Sequence, residues 1–102
     1  MRFFVRVLWD TDKGNELARK GTLGSTVKSI LEQTKPEVAF FPAAKGHRST
    51  YMIVNLVDAS DMPAVAEPWF LALNATVEFE PVMRPEDLAK AEPAIARAAA
   101  SF

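Results

Sequence analysis

Glu78 and Glu80 stand two apart in an alternating segment, Ala75 to Met83, so both carboxylates leave the same face of one strand. Arg2 and Arg6 share a parity in the N-terminal segment in the same way. If the two segments are antiparallel neighbours, opposite charges meet across the ladder, which contributes about 0.2–1 kcal/mol per pair. Such a ladder fixes register or lines a seam between chains. In a partly dry cavity the same groups support different chemistry. One Glu would act as general base, with burial raising its proton affinity and Arg6 lowering it. Tyr51 and Asn55 lie four apart in a third alternating segment and also share a face. They would orient a carbonyl or phenolic ligand, or satisfy each other or a partner chain.

The rest of the catalytic menu is short. Cysteine is absent, which removes disulfides, zinc-thiolate sites and thiol nucleophiles. The only histidine, His47, falls with Lys45 and Arg48 in a basic turn, read as a solvated hairpin tip or an anion contact. Gly14, Gly21 and Gly24 do not form a phosphate loop. Twelve Lys and Arg against thirteen Asp and Glu give a net charge of −1, which argues against nucleic acid. No metal site and no cofactor is expected. The apolar runs are far shorter than the roughly 20 residues that span a bilayer. Met1–Trp9 carries charge within its apolar run and no small-residue cleavage site follows, so it does not read as a signal peptide. A cytoplasmic protein without membrane contact is the expectation.

The elements that must position these groups follow from hydrophobic period. In a chain of 102 residues that is 49% hydrophobic, one domain with a modest core is expected. Residues 2–9 alternate as a first strand, with Phe3, Val5, Val7 and Trp9 on one face. Asp10 to Gly14 reads as a loop, with one short helical piece from Asn15 to Lys20. Leu23, Val27, Ile30, Leu31 and Thr34 mark a helix from about Thr22 to Lys35, capped by Thr22 or Ser25 and stopped by Pro36. Glu37 to Ala44 reads as a second strand, on a sheet edge because of Pro42, and Lys45 to Arg48 as a hairpin turn. Ser49 to Val57 is a third strand. Met62, Val65, Ala66, Trp69, Phe70 and Leu73 mark a second helix, with Ser60 as its cap and a bend at Pro68. Ala75 to Met83 is a fourth strand. From Pro85 a helical arm runs on, bent or split at Pro93, with an apolar stripe of Leu88, Ile95 and Phe102.

The order β-α-β-β-α-β is the split βαβ, ferredoxin-like arrangement, an α+β class with strand 1 between strands 3 and 4 and the helices on one face. Residues 1–84 would form this domain and 85–102 its C-terminal helical arm. With Phe3, Val5, Val7, Trp9, Met52, Val54, Leu56, Val77 and Phe79 under the helices, the open face carries Phe4, Arg6, Leu8, Tyr51, Ile53, Asn55, Glu78, Glu80 and Val82. Either Phe40 or Phe41 joins them. A solvent face of an antiparallel sheet is ordinarily polar. This one mixes large apolar residues with opposite charges, as a partner surface or ligand cleft does. A homodimer packed sheet to sheet is therefore expected.

Several short segments carry a further likeness: Gly21-Thr22-Leu23-Gly24, Lys35-Pro36-Glu37, Glu67-Pro68-Trp69-Phe70, Glu78 to Met83 and Pro85 to Ala89. The element order over residues 1–83 resembles the dimeric α+β-barrel superfamily of small ferredoxin-like proteins, and these segments look like a set of uncharacterised bacterial proteins. That superfamily includes muconolactone isomerases, small cofactor-independent monooxygenases and uncharacterised bacterial members. The resemblance implies a barrel closed by two chains, with its lumen as the usual ligand site. Three readings follow. The lumen binds a small apolar or aromatic molecule through Phe4, Arg6, Tyr51 and Asn55. Alternatively, the chain is a cofactor-independent enzyme of isomerase or monooxygenase type. Glu78 or Glu80 would then be the base, and Arg6 or Tyr51 would stabilise negative charge. In the third reading the lumen is filled by side chains and the protein is an interaction module.

Overall fold

Val5 and Val7 are fully buried while Phe4, Arg6 and Leu8, which alternate with them, are not, so the period-2 pattern of the N-terminal strand becomes two distinct sheet faces. A computed structural model describes residues 1–102. Its strands are β1 (Arg2–Leu8), β2 (Val38–Phe40), β3 (Ser49–Asn55) and β4 (Thr76–Pro81). They form one antiparallel sheet in the order β2-β3-β1-β4, with β1 between β3 and β4 as expected. The helices are α1 (Thr11–Lys20), α2 (Leu23–Thr34), α3 (Met62–Leu73) and α4 (Pro85–Ser101). The fold is α+β and compatible with a ferredoxin-like one.

The core joins Val5, Val7, Trp9, Met52, Val54 and Leu56 of the sheet side to Val27 and Ile30 of α2 and Val65, Trp69 and Leu73 of α3. Phe3, Val77 and Phe79 pack against it half-buried. This is the face assigned to the helices from alternation alone. Trp9 stacks on Trp69 with ring centroids 6.2 Å apart, and its Nε1 donates to Thr50 Oγ1 at 3.1 Å.

Local capping corrects several expected boundaries. Asp10 to Gly14 is not a loop. The Asp10 carboxylate accepts the Lys13 N–H at 2.9 Å, and helix α1 starts at Thr11. Gly21 closes it in the left-handed region at φ 73°, which suits glycine. Thr22 is the N-cap of α2 but makes no side-chain cap, and the Ser25 and Thr26 hydroxyls donate back to its carbonyl. Ser60 is not the cap of α3 either. It lies inside a 3₁₀ turn over Ala59–Asp61, and the Asp61 carboxylate accepts the Asp58 N–H at 3.1 Å. α3 runs unbroken through Pro68 and α4 through Pro93.

Strand β2 is only three residues long and lies on the sheet edge. The expected extension to Ala44 fails because Ala44–Gly46 turns as a 3₁₀ segment, with Lys45 and Gly46 both at positive φ. No residue of α4 is buried. The radius of gyration is 17.1 Å, against about 13 Å for a compact chain of this length, and the long axis reaches 60 Å. The C-terminal helix therefore projects from the body with Leu88, Ile95 and Phe102 exposed. No helix is long and apolar enough to cross a membrane.

Candidate functional site

The ladder register arranges the open face in two rows. Val38, Ile53, Phe4 and Glu80 lie side by side across β2, β3, β1 and β4. Phe40, Tyr51, Arg6 and Glu78 form the next row. Phe40 thus supplies the strand-2 aromatic; it is 65% exposed. Phe41 turns the other way and meets Trp9 edge-on.

Arg6 occupies the centre of this surface. Its Nη1 donates to Glu80 Oε1 at 2.6 Å, and its guanidinium carbon lies 4.6 Å from the Phe4 ring centroid and 5.8 Å from that of Tyr51. Phe4 and Tyr51 meet edge to face at 5.4 Å. A cation over two rings and against a carboxylate is favoured in its charged form. The hydrogen bond to Glu80 accordingly raises the Arg6 pKa further, against a smaller desolvation effect.

The other candidates are placed differently from a simple ladder of four charges. Arg2 turns away from β4 and pairs with Glu37 at 3.0 Å, just before β2. Glu78 stands directly across from Arg6 yet forms no ion pair. Asn55 and Tyr51 do not bond each other. The Asn55 Oδ1 accepts from the Met1 ammonium at 2.9 Å, which binds the chain start to the end of β3. Of the candidates, the structure brings together Phe4, Arg6, Tyr51 and Glu80, with Glu78 beside them, and leaves Asn55 at the margin.

Chemically, this patch offers aromatic edges, one guanidinium and two exposed carboxylates, of which Glu80 is neutralised by Arg6. That set suits an apolar or aromatic molecule with a polar substituent. No group of three His, Asp or Glu side chains is arranged to hold a metal ion.

A second feature was legible only as a basic turn or an anion contact. Lys45 and Arg48 of the basic turn are exposed, whereas His47 is less so. It is half-buried, lies 3.3 Å from Thr11 Oγ1 through Nδ1, and lines a cleft of about 670 Å³ with Trp9, Leu23, Phe41 and Arg48. These residues come from separate stretches of chain, so no spacing rule joins them. The one signal was the presence of the sole His and an Arg in the same turn.

No protein-family model matches the chain, and no curated protein matches it either.

Proposed function

We propose that this protein is a homodimer of the ferredoxin-like, α+β-barrel kind. Two open sheet faces pack against each other and enclose a lumen that binds a small apolar or aromatic molecule. The observation that carries this reading is the row structure of the open face. Phe40 and Val38 are exposed beside Phe4, Tyr51 and Ile53, around a single Arg6–Glu80 pair. Burying Phe4, Leu8, Ile53 and Phe40 would contribute at most about 1.5–3 kcal/mol each. That is a large share of the roughly 5–15 kcal/mol stability of a small domain. Arg6, Phe4 and Tyr51 would line the lumen, with Arg6 available to a polar group on the ligand.

The projecting α4 fits the same assembly. Its stripe of Leu88, Ile95 and Phe102 has no partner on its own chain and would lie along the partner's seam.

Native mass spectrometry of freshly purified protein, repeated under denaturing conditions, tests the proposal. A dimer carrying a small extra mass that denaturation releases is the expected result, with Ile53→Lys converting it to monomer. A dimer with no extra mass would support the assembly, leave the lumen either empty or packed, and count against a co-purifying ligand. A monomer at micromolar concentration would overturn the assembly.

A further inference from the structure

The cleft beside His47 lies off the open sheet face. It is framed by the first turns of α1 and α2 and by residues 41–48 between β2 and β3. Its volume of about 670 Å³ falls within the roughly 300–1,000 Å³ of small-molecule sites. One wall is apolar, built on Trp9 and Phe41, whose rings make an edge-to-face corner at 6.4 Å, with Leu23 and Val27 beside them. The opposite rim is polar, with Thr11, His47 and Arg48.

The charge at this rim is one-sided. None of the lining side chains is acidic. Arg48 forms no ion pair; its one side-chain hydrogen bond runs from Nη1 to the neutral Asn15 Oδ1 at 2.9 Å. A guanidinium carries five N–H donors in a planar fork, so most of this fork has no protein acceptor. Gly14 lies beside the group. It is buried within α1, and a Cβ there would stand 2.9 Å from Arg48 Nη1. A side chain at this position would push the exposed end of Arg48 aside.

We infer that this cleft is a second binding site, for a small aromatic carboxylate. The ring rests in the corner of Trp9 and Phe41, and the carboxylate meets the fork of Arg48 beside His47. One guanidinium beside a hydroxyl and an imidazole matches a planar monoanion bidentately, whereas a phosphate dianion would call for further cationic partners.

The test uses 1-naphthoate and its neutral analogue 1-naphthalenemethanol, titrated into the intact protein by calorimetry and ¹H–¹⁵N NMR. Naphthoate should bind saturably and shift the Trp9 indole and the Leu23 and Gly24 amides. Arg48→Gln should weaken naphthoate by about tenfold or more, the loss of a charge-assisted hydrogen bond, and leave the alcohol unchanged. Arg6→Gln should leave the naphthoate-induced shifts at Trp9, Leu23 and Gly24 intact, because any naphthoate at the open sheet face lies outside this cleft. Gly24 lines the cleft with open space around its Cα, so Gly24→Leu should raise the thermal midpoint while reducing binding. The proposal is overturned if naphthoate and the alcohol bind alike, if Arg48→Gln binds naphthoate as the natural chain does, or if Arg6→Gln is the variant that loses it.

Discussion

Arg6 bypasses Glu78, the residue directly across the β1–β4 ladder, and pairs instead with Glu80, the residue across from Phe4. The guanidinium lies over the Phe4 ring, and that position brings Nη1 to the carboxylate opposite Phe4. The pairing is therefore set by an aromatic neighbour on the same strand as much as by charge.

A double-mutant cycle reads this directly. Arg6→Met with Glu80→Gln should show a favourable coupling in urea unfolding, and Arg6→Met with Glu78→Gln should show none. The coupling should shrink in high salt, because both groups of the pair are partly exposed. Equal couplings for the two carboxylates would mean that Arg6 samples both.

Three glycines should answer differently to alanine in thermal unfolding. Gly24→Ala meets open space in α2 and should stabilise the fold by about 0.5–1 kcal/mol. Gly21→Ala forces a side chain into φ 73° and should cost about 1–2 kcal/mol. Gly14→Ala gains helix propensity but displaces Arg48, so its net effect on stability should lie between the other two. A stabilising Gly21→Ala would show that the α1 cap is not left-handed in solution.

Trp9→Phe should be costly beyond its change in size. Thr50 is fully buried and its hydroxyl accepts from the Trp9 indole at 3.1 Å. Removing the donor leaves that hydroxyl without its partner, at a cost of about 1–3 kcal/mol measured by denaturant unfolding. The double variant Trp9→Phe with Thr50→Val should recover part of the loss.

Glu16 supplies a pH signature in α1. Hydrogen bonds from Lys20 and then Lys13, with their positive charges, hold its carboxyl below the ordinary 4.5. A lowered folded-state pKa means that the stabilisation is complete above the unfolded value and is lost as pH falls through the folded one. Glu16→Gln should therefore lower the thermal midpoint at pH 7 and converge with the natural chain well below pH 4.5. An equal difference at both pH values would assign the effect to packing instead.

Much of the fold was legible because its signal is periodic. Phe3, Val5 and Val7 alternate without interruption, and Val65, Trp69 and Leu73 recur at helical spacing, so the core faces of β1 and α3 could be read directly. Asp10 to Gly14 misled because Asp and Gly are turn formers. Here Asp10 caps a helix and Gly14 makes room for Arg48, a tertiary reason that local composition does not carry. The candidate site was legible as a face but not as a set of contacts. Parity placed Phe4, Arg6, Tyr51 and Glu80 together. The diversion of Arg2 to Glu37 and of Asn55 to the Met1 ammonium depends on side-chain reach across strands, which alternation does not encode.

The sheet's two edges have a consequence for how copies of this chain can associate. On one side, β2 offers three residues bracketed by Pro36 and Pro42; on the other, β4 ends at Pro81 and carries alternating Glu78 and Glu80. An incoming strand finds a short run of donors and then a residue with no N–H, or a row of negative charge. Lateral strand addition, the step by which sheets elongate into fibrils, is thus disfavoured at both ends. Apolar surface lies instead on the flat of the sheet and along α4, where Leu88, Ile95 and Phe102 are exposed. In the proposed sheet-to-sheet dimer each sheet face is used once, so concentrating the protein should favour discrete assemblies over polymers built by strand addition.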